Sequence, residues 1–197
     1  MAKIVDRDEM KGRILEAALG VYQESGFHAA SMNMVAKTAG LAKGTLYLYF
    51  KSKDEMTIAL CHHLFSGVEK NFIHEELFDS LDEFSQFLFS TMDISQDHAD
   101  FIPVFFEIFG PSFSSGELRL EVSAFFDKLG DFYACQIRHL QEKGQIGATH
   151  DPETTGRALA AALDGVILHR GLFLTSRSRY LQMIRSLLGV ILNGLKL

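Results

Sequence analysis

The sequence predicts an all-α chain of about nine helices, and three observations carry that prediction. Only three prolines occur, at 103, 111 and 152, so no proline interrupts the first hundred residues. Runs of β-branched residues are scarce, whereas Leu, Ala, Lys and Glu, which lose little freedom in a helix, are common. Apolar residues recur at steps of three and four rather than two. With 197 residues, 47% of them hydrophobic, the chain can bury one sizeable core or divide into a small domain and a larger one.

Each element has its own signal. Over 8–25, Ile14, Leu15, Ala18, Val21 and Tyr22 fall on one face. Gly26 is placed to end this helix in the left-handed conformation, with Phe27 tucked back, while Gly20 within it costs about 1 kcal/mol relative to alanine. Ser31 is a capping residue for a second helix running to residue 38, with Val35, Ala36 and Ala39 inward. Residues 39–41, Ala-Gly-Leu, form a tight turn, and a third short helix covers 42–49. A fourth begins at Lys53 and is expected to reach residue 75. The remaining helices are expected at 81–95, 101–110, 118–143, 152–174 and 177–195, with "GPSFSSG" (110–116) as a loop. Asp151-Pro152-Glu153 is a strong helix start: a cap, a proline in the first turn and an acid near the positive end of the dipole.

Three short helices with a glycine turn between the second and third make a helix-turn-helix. Charge singles out the same region. The formal net charge is −6, yet residues 1–60 hold eight Lys/Arg against seven Asp/Glu, and residues 31–53 contain Lys37, Lys43, Lys51 and Lys53 with no acid. A basic patch on an acidic chain is the footprint of a nucleic-acid partner, although charge alone favours a solvated face. Leu41, Leu46, Tyr49 and Phe50 are expected to pack, leaving Lys43, Gly44, Thr45, Tyr47 and Lys53 outward.

The stretch "RILEAALGVYQESGFHAASMNMVAKTAGLAKGTLYLYFKSKDEM" (13–56) resembles the DNA-binding domain of TetR-type transcriptional regulators. The matching positions include Ala17, Ala18, Gly26, Phe27, Ser31, Val35, Ala36, Gly40, Lys43, Gly44, Leu46, Tyr47, Tyr49, Phe50, Ser52 and Lys53, with unbroken spacing. The resemblance implies a DNA-binding domain over 1–53 and a helical ligand-binding and dimerisation domain over 54–197. It also implies that Tyr47 and Lys53 clamp the DNA backbone, that Lys43, Gly44 and Thr45 lie nearer the bases, and that Ser31, Asn33 and Leu48 belong to the same interface. The chain departs from the family at Ala42, where a capping Ser is usual, at Asn33 and Met34, where an Arg and an acid are frequent, and at Leu48, where a polar residue is frequent.

Thirteen of the 17 phenylalanines fall between 72 and 132. Taken singly each is core; together they suggest a cavity for a small hydrophobic effector, because such sites are mainly apolar with a few polar fixers. The expected lining is Phe72, Phe84, Phe87, Phe105, Phe109 and Phe132, with Tyr133 and Gln136 as polar contacts; Glu107 and Asp131 read as solvated. At the C-terminal end Leu181, Ile184, Leu188 and Ile191 make a seam, and Leu159, Leu163 and Val166 lie on the preceding helix. In the family such helices form a homodimer interface; by pattern alone an intramolecular bundle would look the same.

Other function classes lack their signals. No G-x-S-x-G occurs, "HEE" at 74–76 is not H-E-x-x-H, and His62 and His63, being adjacent, point about 100° apart on a helix and do not converge on one metal. No enzyme, metal or cofactor is expected. Cys61 and Cys135 have no ligand or redox spacing, and reduced thiols suit a cytoplasmic protein. The stretch 158–174 is interrupted by Asp164, His169 and Arg170, so no membrane span is expected. The chain therefore reads as a ligand-responsive regulator, most simply a repressor of a palindromic double-stranded DNA operator. The alternative is a helical protein that sequesters hydrophobic ligands and carries a decayed DNA module; a weaker one is a constitutive DNA binder with no effector.

Overall fold

A computed structural model describes residues 7–73, 76–112, 116–173 and 175–196. Among these the chain is entirely helical outside its turns: α1 (Arg7–Ser25), α2 (Met32–Thr38), α3 (Lys43–Tyr49), α4 (Lys53–Phe72), α5 (Leu81–Met92), α6 (Gln96–Ser112), α7 (Gly116–Glu142), α8 (Pro152–Gly171) and α9 (Arg177–Leu195). Packing divides it into two compact units, Met1–Val68 with Val104–Arg119, and Glu69–Pro103 with Leu120–Leu197.

In the first unit the predicted face of α1 (Ile14, Leu15, Ala18, Val21 and Tyr22) is buried. Val35 and Ala36 of α2, Leu46 of α3, and Met56 and Leu60 of α4 are buried in the same unit. Gly26 takes φ +75° and its amide returns to the Tyr22 carbonyl at 3.0 Å, so α1 ends where the sequence said it would. Phe27 then packs edge-on to Tyr22, with ring centres 5.3 Å apart. The Phe27 amide, beyond the helix end, donates to Glu107 Oε2 at 2.9 Å. Glu107 is exposed, as expected, and in addition serves as a structural cap supplied from 80 residues away.

The second unit is built on α5, α7, α8 and α9. Its core joins Phe84, Leu88, Phe132, Ile137, Leu140, Leu159, Leu163, Tyr180, Ile184 and Leu188. At Gly156 a Cβ would come within 2.6 Å of the Gly130 carbonyl and the Ala134 amide, so only glycine permits this approach of α8 to α7. Helix starts are capped by side chains: Ser80 accepts from the Glu83 amide at 3.2 Å, and Asp151 from Thr154 at 2.9 Å with Pro152 following.

Several boundaries differ from expectation. α6 begins at Gln96, not 101, because Ser95 Oγ accepts the His98 amide at 3.2 Å and caps it. Pro103 consequently sits inside the helix, where it forgoes a backbone bond, and the division between the two units falls between Pro103 and Val104. Residues 110–112 of the expected loop close α6 and Gly116 opens α7; residues 113–115 lie outside the described residues. α4, expected to reach residue 75, ends at Phe72, and α5 ends at Met92 rather than 95.

Candidate nucleic-acid interface

The turn between α2 and α3 is short and closed. The Leu41 amide reaches back to the Ala36 carbonyl at 2.8 Å, which sends the chain sharply into α3. Ser31 caps α2 through the Met34 amide at 3.4 Å. Ala42 gives α3 no side-chain cap, and its carbonyl instead accepts from Thr45 and Leu46 at 2.9 and 3.2 Å. Leu46 and Phe50 bury the inner side of α3. The outer side exposes Lys43, Gly44, Tyr47 and Leu48, while Thr45 and Tyr49 are half-buried. Lys43 Nζ lies 5.9 Å from the Tyr47 ring centre, one helical turn away, so these two side chains form one ridge. Ser31, Asn33, Lys37 and Lys51 are exposed on the same module.

Lys53 differs from expectation. Its ammonium points inward, donating to the carbonyls of Ala30 (2.9 Å) and Phe27, and lies 4.1 Å from the centre of the Phe27 ring. Removal from water pushes its pKa below the usual lysine value. It therefore ties the start of α4 to the turn before α2, with at most one donor left over. The following residues complete the corner: Ser52 Oγ accepts the Glu55 amide at 3.1 Å and Glu55 accepts the Lys51 amide at 2.7 Å. This corner was missed from sequence alone, although the S-x-x-E spacing at 52–55 is the signal that marks it; nothing in the sequence marks Glu107.

The residues expected to line an effector cavity are divided between the two units. Phe105 lies in the first unit, against Phe65 with ring centres 6.1 Å apart. Phe84, Phe87, Phe132 and Tyr133 share the core of the second unit. The side chains of Phe72 and Phe109 are outside the described residues. Gln136 is buried as expected, but its amide is committed: Nε2 donates to the Glu76 carbonyl at 2.9 Å and Oε1 accepts the Phe78 amide at 3.1 Å. It staples down the segment between α4 and α5 instead of pointing at a ligand. Beside it an open groove of about 540 Å³ is lined by Ile73, Leu77, Phe132, Cys135 and Gln136, with Lys70, Asp131 and the Glu69–Lys128 ion pair at its rim.

The expected dimer set also divides. Leu159, Leu163, Ile184 and Leu188 are buried inside the unit, so they have no surface to offer a second chain; the seam they form is intramolecular. Val166, Leu181 and Ile191 remain half-exposed. Exposed beside them are Ala158, Ala161, Gly165 and Phe173, and Val190 on α9. Among the described residues no group of three His, Cys, Asp or Glu could hold a metal, and no helix is long and apolar enough to cross a membrane.

A short, closed turn holding a partly exposed helix that begins at Lys43 against two supporting helices defines the chain as a helix-turn-helix protein. Comparison with known proteins narrows the class. The profile described as bacterial regulatory proteins, tetR family, matches residues 14–60. The fatty acid metabolism regulator protein of Bacillus subtilis (strain 168) is 46% identical over 48 residues, which is 24% of this chain and 25% of that protein. The match thus spans only a quarter of that relative's length. The HTH-type transcriptional regulator UidR of Escherichia coli (strain K12) is 24% identical over 184 residues, 92% of each chain. The crystal structure of a putative TetR-family transcriptional regulator from Mesorhizobium loti MAFF303099 shares the fold, with a TM-score of 0.80 and 16% identity, covering 98% of this chain and 100% of that one. Residues 14–60 thus carry a DNA-binding domain of the tetR family, and the chain as a whole shares the fold of a TetR-family structure.

Proposed function

We propose that this chain is a homodimeric transcription regulator of the cytoplasm. In this reading it represses by occupying a near-palindromic operator and leaves it when a small apolar or amphipathic effector binds. The observation that carries the reading is the outer side of α3: Lys43, Gly44, Tyr47 and Leu48 stand exposed on a module with four lysines and no acid between residues 31 and 53. Lys43 and Tyr47 supply donors to phosphates or base edges, and Gly44 lets the backbone come close. Ser31, Asn33 and Thr45 extend the contact. Lys53 acts mainly by holding the corner that aims α3.

Self-association is supported by the small and apolar side chains left outside on α8 and α9. A dimer sets two copies of α3 about 34–36 Å apart, the spacing of successive major grooves. The groove beside Phe132 supports an effector site; its mixed rim suits an amphipathic molecule better than a wholly apolar one. α4 is one continuous helix from Lys53 to Phe72, so a ligand that displaces its end beside the groove moves its beginning as well. The effector must favour a state in which the two α3 helices miss their spacing, and DNA must weaken effector binding by the same factor.

The test is selection of duplexes from a random library by the purified full-length chain. Enrichment of an inverted repeat is expected. A library from which no sequence is enriched sinks the reading and favours the rival, a sequestering protein with a decayed DNA module.

A further inference from the structure

We propose that Leu48 reads thymine in the operator through the base's C5-methyl group, making it a specificity residue of each half-site; the inference rests on α3 being the DNA-reading helix. Leu48 is the most exposed large hydrophobic side chain among the described residues, at 76%. It stands on the outer side of a helix whose inner side, Leu46 and Phe50, is already buried, so it contributes little to the protomer's own packing. Its neighbour one turn earlier is Gly44, where a Cβ would meet nothing within 4 Å. Gly44 and Leu48 therefore make a low strip beside the taller ridge of Lys43 and Tyr47. A backbone can approach a base edge along that strip, and Leu48 is the side chain that arrives with it.

The chemistry of the groove then selects the base. In the major groove adenine, guanine and cytosine present hydrogen-bonding atoms that leucine cannot satisfy, and none of them carries a methyl group. Pressing leucine on such an edge strips it of water and leaves it unpaired. Thymine alone adds a methyl group, and burying that methyl against leucine is favourable without a hydrogen bond. Thr45 also carries a methyl but is half-buried, which makes it the competing reader.

The experiment uses the duplex that the full-length protein itself selects. Each dT is replaced in turn by dU, which removes the C5-methyl and leaves pairing intact, and affinity is measured for the natural chain, Leu48→Ala and Thr45→Ser. One position per half-site is expected at which dU weakens binding about four-fold, the worth of one buried methyl-sized group, with the loss abolished in Leu48→Ala. If no dT is sensitive, if the sensitivity survives in Leu48→Ala, or if it vanishes only in Thr45→Ser, the proposal is overturned while DNA binding stands. If no duplex is selected at all, both it and the DNA-binding reading fail.

Discussion

The ammonium of Lys53 lies 2.9 Å from the Ala30 carbonyl and donates as well to the carbonyl of Phe27, linking the first residue of α4 to the turn that precedes α2. Two carbonyls that would otherwise lose water on folding are satisfied by one side chain, and the charge rests against the Phe27 ring. Lys53→Met keeps the aliphatic stem and removes the donors. It should lower unfolding stability by roughly 1–3 kcal/mol, the cost of leaving such acceptors unpaired. Urea denaturation measures this; an unchanged midpoint would mean that solvent serves those carbonyls equally well.

Lys43 is exposed, so it contributes little to the protomer's own packing. Lys43→Ala should therefore leave unfolding stability within about 0.5 kcal/mol while weakening DNA binding. If Lys43 neutralises a phosphate, the slope of log affinity against log salt should fall by about 1 in each half-site of the variant's complex. Titrations of the selected duplex at several salt concentrations decide it, and equal slopes for the two proteins would mean that Lys43 pairs with no phosphate.

Val190 and Leu188 are two residues apart on α9, one exposed at 73% and the other buried at 4%. Val190→Glu should give a folded monomer if this face joins two chains. Leu188→Glu should unfold the second unit, because it places a charge in a dry core. Sedimentation and circular dichroism together separate the outcomes. A Val190→Glu protein that stays dimeric places the interface elsewhere.

Burial pushes the Asp164 carboxyl up from its ordinary range to about 6. The folded state thus holds a proton that the unfolded state has released between about pH 4 and 6, so stability falls as pH rises through that window and the full cost persists above it. Asp164→Asn removes the titration. It should raise stability by roughly 2 kcal/mol near pH 7.5 and change it little near pH 4. Equal gains at both pH values would show that the effect is packing rather than charge.

Cys135 lies on the wall of the groove beside Phe132 and is exposed. Cys135→Trp should fill that space, blunt the response to any effector that binds there, and leave operator affinity near that of the natural chain. Operator titrations with and without a ligand known to bind the purified protein test this. Undiminished release in the Trp variant would move the effector site.

Local signals determined much of this chain by themselves. The period of α1, the capping residues Ser31 and Asp151, the left-handed Gly26 and the acid-free stretch 31–53 are all properties of neighbouring residues, so they were legible in order along the sequence. What tertiary structure decided is which partner each side chain meets. Lys53 looked like an outward cation until the carbonyls of Phe27 and Ala30 were placed beside it, and Gln136 looked like a free amide until the backbone of Glu76 and Phe78 took both its ends. The seam of Ile184 and Leu188 shows the same limit: a period of three and four says that one face is apolar, but not whether it is covered by its own chain or another. Glu107 and Phe27 are 80 residues apart, and no pattern in a sequence encodes a bond of that separation. Periodicity records the geometry of a single helix, whereas the identity of a partner depends on how separate helices come together.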